Sequence, residues 1–156
     1  MVEPMTVEFI DMEWDANPRS GSKISTRDEL LTLLAELRVL DPFFFELKGE
    51  NGFMLYVGIG EKACAVQFGP SDGAPPFLMA VAPGKPHIPP NDGKSTYSAA
   101  ARADARCRLV SPQFMCGGTA TPVPTRYCLP FETMQGVVLD FLESGARSPD
   151  VLWEEI

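Results

Sequence analysis

Histidine is almost missing from this chain, in which His87 is the single example among 156 residues. Zinc or non-haem iron sites that need several imidazole ligands are therefore excluded within this sequence. A Cys–His or Ser–His catalytic pair would have to use His87, which lies in a proline-rich stretch with no carboxylate or nucleophile beside it. We therefore expect His87 to be an exposed loop residue and not a general base.

Motifs of catalysis and cofactor binding are absent as well. The chain contains no GxxxxGK[ST], GxSxG, HExxH or zinc-deaminase pattern. Adjacent residues of a strand point to opposite faces, so Glu154 and Glu155 cannot act together on one substrate. The cysteines lack the CxxC spacing of most zinc sites, and we expect small buried hydrophobic residues. They are Cys64, Cys107, Cys116 and Cys128. We predict no catalytic residue, no metal and no cofactor.

Long hydrophobic runs are not found, since the densest apolar stretch, residues 43–47, has only the length of a strand. The first residues show neither the basic nor the apolar segment of a secretory signal. These absences predict a cytoplasmic protein without a membrane span. The length suits one domain, which we expect to cover residues 1–156.

The charge of the chain is acidic, with a net value of −8 at pH 7. Phosphate backbones repel such a surface, so direct binding of nucleic acid is disfavoured. The same charge attracts a basic protein partner and speeds its association. On charge alone, a surface that only keeps the protein soluble is the favoured explanation.

Two amphipathic helices are predicted from apolar side chains that recur every three or four residues. The first follows a capping box of Thr26 and Glu29 and ends before Pro42. The second begins at Pro130 and ends at Gly145, where a left-handed cap is expected. The apolar stripes are Leu30, Leu33, Leu34 and Leu37 in the first helix, and Phe131, Met134, Val137, Val138, Phe141 and Leu142 in the second.

Strands are predicted before, between and after these helices. They cover residues 7–14, 43–47, 53–59, 63–68, 77–81 and 151–156, with one more strand ahead of the second helix. An Asn-Gly turn at residues 51–52 predicts a hairpin. This order predicts an α+β fold, a mainly antiparallel sheet with both helices packed on one face. The aperiodic residues 83–105 predict a mobile loop, although the Ala-rich residues 98–102 leave a helix open there.

A series of short motifs fills the last third of the chain. A Gly117-Gly118 pair comes first, then a proline-started helix ending at Phe141 and Gly145, then a strand with Trp153-Glu-Glu. In this order the motifs resemble immunity protein family 1 of bacterial polymorphic toxin systems, clearly over residues 112–156 and more weakly from residue 26. The resemblance implies a cytoplasmic antitoxin in bacterial competition. Such a protein binds a cognate toxin domain and blocks its active site, and the toxins paired with this family include nucleic-acid deaminases.

The motif residues and the contact residues are expected to differ. A tryptophan on a strand beside an amphipathic helix usually belongs to the core, and paired glycines meet backbone requirements. Acidic side chains suit a basic toxin groove better. The motif residues expected to be structural are Gly117, Gly118, Phe141, Gly145 and Trp153, and the candidate contacts are Glu13, Asp15, Glu143, Asp150, Glu154 and Glu155.

Two other functions are compatible with the same sequence. One is an intracellular chaperone or adaptor for a secreted effector, which would also be small, acidic and non-catalytic. A toxin-domain reading frame immediately upstream would favour immunity, whereas a secretion-apparatus cluster would favour the chaperone. The other, less favoured, is a hydrolase that uses His87 or Cys116. The oligomeric state stays open.

Overall fold

A computed structural model describes residues 6–11, 21–39, 42–61, 63–81, 113–116 and 119–156. The predicted loop at 83–105 lies outside these residues, as do Glu13, Asp15, Gly117 and Gly118. The elements in chain order are β1 (Val7–Asp11), β2 (Lys23–Ile24), α1 (Arg27–Arg38), β3 (Phe43–Gly49), β4 (Phe53–Ile59), β5 (Ala65–Pro70), β6 (Leu78–Val81), β7 (Gln113–Cys116), β8 (Thr119–Pro122), a 3-10 turn (Thr125–Tyr127), α2 (Phe131–Ser144) and β9 (Leu152–Glu155).

Seven of the strands form a continuous antiparallel sheet in the order β2-β1-β3-β4-β5-β6-β9. β7 runs parallel to β3 through the pair Phe43 and Met115, just past the point where β1 stops pairing, and β8 pairs with β7. The predicted α+β fold with a mainly antiparallel sheet is confirmed. β2 and one of the pair β7 and β8 were not predicted, because two to four residues are too few to show a distinctive alternation.

Both helices pack on the same face of this sheet, as predicted. The four leucines of the α1 stripe are at most 3% exposed, and they join one core with α2 and with alternate residues of β1, β3, β4 and β5. The two helices run antiparallel to each other. Arg27 at the start of α1 pairs with Glu143 at the end of α2, and the Arg38 guanidinium lies 4.0 Å from the centroid of the Phe131 ring.

The opposite face of the sheet is only partly covered. A smaller core forms there around Phe44 and Phe114, whose ring centroids are 5.3 Å apart, together with Val123 and Cys128. Gly58 is required beneath these rings, because a Cβ atom at this position would lie 3.0 Å from Phe44 and 3.2 Å from Phe114. The segment containing β7, β8 and the 3-10 turn thus closes one part of this face.

The helix ends follow the local signals in the sequence. Thr26 Oγ1 accepts a hydrogen bond from the Glu29 amide at 3.2 Å, which is one arm of the capping box. The other arm is displaced by one residue, since Glu29 Oε1 accepts from the Ser25 amide at 3.3 Å. Pro130 is the N-cap of α2, so the helix begins at Phe131, one residue later than predicted. Neither helix is long and apolar enough to cross a bilayer, within the part of the chain that is described.

Gly145 caps α2 in the left-handed conformation with φ of 72°, and its amide donates to the Phe141 carbonyl at 2.7 Å. We expect Gly145→Ala to lower the free energy of unfolding by about 1–2 kcal/mol, because an L side chain is strained at this φ. Gly136→Ala is the matched control, since this position is inside α2 and a new Cβ atom would meet nothing within 4 Å. It should raise the free energy of unfolding by about 0.5–1 kcal/mol. Urea denaturation measures both, and effects of the same sign would contradict the assignment of the cap.

Candidate functional site

Trp153 connects β9 to the segment that follows α2 and to β5 of the sheet. Its indole Nε1 donates to the Ser148 carbonyl at 2.9 Å. The indole also meets the Phe68 ring edge-on at a centroid distance of 6.1 Å, and Phe68 meets Phe141 at the same distance. Two residues of the family motif, Phe141 and Trp153, are therefore joined through a residue of β5. Both side chains therefore make contacts inside the fold.

Ser148, which the sequence analysis did not single out, lies in the segment between α2 and β9. Although polar, it is only 1% exposed. Its hydroxyl donates to Asp140 Oδ2 at 2.5 Å and accepts from the Asp150 amide at 3.2 Å. The second contact is a serine turn that holds the chain between α2 and β9, and the Ser-Pro-Asp sequence is the signal that could have indicated it.

Glu154 lies on the face of the sheet that the helices do not cover, and it pairs with Met79 of β6. Its carboxylate forms an ion pair with Arg126 and accepts from the Tyr127 hydroxyl at 3.0 Å. Burial, the hydrogen bond to Glu154 and the charge of Glu154 raise the pKa of Tyr127, and Arg126 opposes them. Glu154 therefore holds the 3-10 turn against β9. Arg126 and Tyr127 are 28 and 27 residues away along the chain, so no local pattern reveals the contact.

The other acidic candidates differ in whether their carboxylates already form an ion pair. Glu143 forms an ion pair with Arg27 at 3.3 Å, and both side chains are about half exposed. Such an exposed pair contributes little, at most about 1 kcal/mol. Asp150 and Glu155 are exposed, and neither has a cationic partner among the described residues. These two are the predicted contact residues that the structure leaves available.

A groove on the uncovered part of the sheet was not predicted. The strand registers place Ile10, Glu46, Tyr56 and Gln67 in one row across β1, β3, β4 and β5. These side chains line a depression of about 500 Å³. Burial raises the pKa of Glu46, and the neighbouring positive charge of Lys48 opposes this. One polar residue between apolar neighbours on each of three consecutive strands, Glu46, Tyr56 and Gln67, is the signal that could have indicated the groove.

Cysteine chemistry at Cys64 and Cys128 is disfavoured by burial. Both side chains are fully buried and free of disulfides. Burial raises the pKa of Cys64 to about 11 and that of Cys128 to about 12. The thiolate is the reactive species, and very little of it forms at neutral pH. The prediction of small buried hydrophobic residues is confirmed for these two, whereas His87, Cys107 and the side chain of Cys116 lie outside what the structure describes.

The chain thus forms an α+β domain whose most distinctive motif fastens its own last strand, with acidic and apolar groups left exposed beside it. No group of side chains suited to hold a metal ion occurs among the described residues. The model of the family described as Immunity protein Imm1 matches residues 19–155. The chain therefore belongs to the Imm1 immunity protein family, and the resemblance carried by its motifs is confirmed. Searches of curated proteins and of solved structures found no match.

Membership in this family implies an immunity protein with a cognate toxin as its partner. It also favours an inhibitor over an enzyme. The match extends well beyond the region of clear resemblance, 112–156, into the helix α1 and the hairpin of β3 and β4. The match therefore covers both helices and every strand except β1, and the Trp153 motif is one part of it.

Trp153→Ala is expected to lower the free energy of unfolding by about 3 kcal/mol, the lower end for truncated core aromatics, because the indole is half-buried. Leu152→Ala is the control on the neighbouring position, where the side chain is 62% exposed, and should change stability by about 0.5 kcal/mol or less. Thermal and urea unfolding measure both variants. An unchanged melting temperature together with lost toxin binding would instead make Trp153 a contact residue.

Proposed function

We propose that this protein is a cytoplasmic antitoxin of one domain that binds and inhibits a cognate polymorphic toxin domain, one that acts on nucleic acid, such as a deaminase. The observation that carries the proposal is the family match over residues 19–155. An inhibitor of this kind acts by tight, shape-complementary binding to the toxin and catalyses no reaction itself. This agrees with the buried, unreactive thiols of Cys64 and Cys128.

The charge of the protein supports a toxin of this class. A protein that acts on nucleic acid needs a basic surface where phosphates bind. The net charge of −8 and the exposed acids Asp150 and Glu155 suit such a surface and disfavour nucleic acid itself as the ligand. The inhibitor would therefore compete with the substrate for the same cationic groups.

The direct test uses the toxin domain encoded next to this chain's gene. We expect the two purified proteins to form a stable complex, and added immunity protein to abolish the toxin's deaminase or nuclease activity on DNA or RNA. Titration of activity and size-exclusion chromatography measure this. An unrelated toxin domain of the same activity is the control and should stay active. A complex in which the toxin remains active would contradict inhibition and favour the chaperone, and no complex at all would contradict the proposal.

Association should depend strongly on salt, because long-range attraction between opposite charges is screened. Between 50 and 500 mM salt we expect the association rate to fall by at least about tenfold, with a smaller change in dissociation. Neutralising the free acids in the double variant D150N/E155Q should flatten this dependence. Glu36→Gln, on α1, removes one charge from a different element and is the control. Stopped-flow binding measures the rates, and an association rate independent of salt would exclude steering by charge.

A further inference from the structure

The outer edge of β9 carries backbone groups with which no strand of the described residues pairs. β9 pairs with β6 from Leu152 opposite Val81 to Glu155 opposite Leu78, and it is the last strand of the sheet order on that side. The Ile156 amide continues this ladder by donating to the Phe77 carbonyl at 3.0 Å. In an antiparallel pair the hydrogen-bonded residues alternate along the strand. Residues 152, 154 and 156 therefore direct their backbone groups towards β6, whereas Trp153 and Glu155 direct theirs outwards.

The side chains along this edge are apolar and acidic. Leu152 is 62% exposed and Ile156 is 59% exposed, so two of the four large exposed hydrophobic residues in the described part of the chain lie here. Alternation along the strand places both on the same face as Glu154. The exposed Asp150 and Glu155 lie just before and within the same strand. An incoming strand would thus meet apolar side chains on one face of β9 and an acidic residue near each end of it.

The two edges of the sheet differ in how they are protected. Exposed edges are usually kept short or guarded by lysine, proline or a bulge. At the other edge, β2 has only two residues, one of them Lys23, which forms an ion pair with Glu8 at 3.5 Å. β9 has no lysine or proline, and its four pairs with β6 run without a bulge. The β9 edge is therefore the better template for another strand.

We propose that the toxin domain adds a strand to the outer edge of β9, with main-chain hydrogen bonds to Trp153 and Glu155. This inference rests on the proposed function and names the surface that performs it. The fitting segment is extended, with apolar side chains that cover Leu152 and Ile156 and with lysine or arginine that meets Asp150 and Glu155. Charge argues for this occupant over a second copy of the chain, because two copies with a net charge of −8 would bring like charges together at the edge.

A proline at position 155 tests the main-chain hydrogen bonds. Glu155→Pro removes an amide that points outwards, and proline is tolerated at such edge positions. The fold should persist with a melting temperature within a few degrees of the parent. Glu155→Ala, which loses the same carboxylate but keeps the amide, is the matched control. With the toxin domain encoded next to this chain's gene as the probe, we expect Glu155→Pro to bind at least about tenfold more weakly than Glu155→Ala.

Hydrogen exchange reports on the same edge without any substitution. In the free protein the amides of Trp153 and Glu155 should exchange fast, whereas those of Glu154 and Ile156 should be protected by the ladder with β6. On binding of the toxin domain, exchange at Trp153 and Glu155 should slow at least about tenfold. This measurement tests strand addition at the β9 edge even if Glu155→Pro does not fold.

The outcomes separate this inference from the proposed function. A tight inhibitory complex with unchanged exchange at Trp153 and Glu155, or with equal affinity of the proline and alanine variants, would overturn the β9 edge as the contact and leave the antitoxin function standing. A dimer of this chain that Glu155→Pro abolishes would show that a second copy occupies the edge, which also overturns the inference. Absence of any complex with the toxin would contradict the function itself.

Discussion

The contact of Phe68 with Phe141 and Trp153 joins β5 to two consecutive elements that lie far from it in sequence, α2 and β9. Phe68 belongs to β5, Phe141 to α2 and Trp153 to β9, and their rings meet edge-on at 6.1 Å. Among the described strands β9 pairs with β6 alone, and this pairing covers four residues. The aromatic contact and the hydrogen bond from the indole to Ser148 supply the additional stability that keeps so short a strand in register.

β9 illustrates why a family motif and a binding surface need not coincide. Along this strand Trp153 faces the helices and Glu154 faces the 3-10 turn, where Arg126 and Tyr127 hold its carboxylate. Both side chains are used internally, on opposite faces of the sheet. What remains available is the exposed Leu152, the exposed Glu155 and the outward backbone of the strand. The motif residues Trp153 and Glu154 thus make contacts within the fold, whereas Leu152 and Glu155 stay exposed beside them.

Local patterns predict the parts of this structure that depend on neighbours in sequence. The leucine stripe and capping box of α1, the hairpin turn at Asn51 and the left-handed cap at Gly145 all follow from residues within a few positions of each other. The predicted opposition of Glu154 and Glu155 follows from the period of two in a strand and agrees with their pairing to Met79 and Leu78.

Contacts over long sequence distances could not be predicted in this way. The ion pair of Arg126 with Glu154 spans 28 residues, and that of Arg27 with Glu143 spans 116. Asn51 Nδ2 donates to the Gly145 carbonyl across 94 residues, so the tip of the hairpin holds the end of α2. Net charge could suggest that acids meet a partner, but only the fold shows which carboxylates are already occupied.

The acidic residues at the β9 edge, Asp150 and Glu155, have two effects, and both follow from their negative charge. An unguarded edge strand invites pairing with identical chains, which soluble proteins must avoid. Asp150 and Glu155 oppose this, because every copy brings the same negative charge to the same place. The same charges favour a basic partner, since attraction replaces repulsion when the incoming strand carries lysine or arginine. If a strand of a basic toxin occupies this edge, as we propose, the same two carboxylates attract that strand and repel a second copy of the chain.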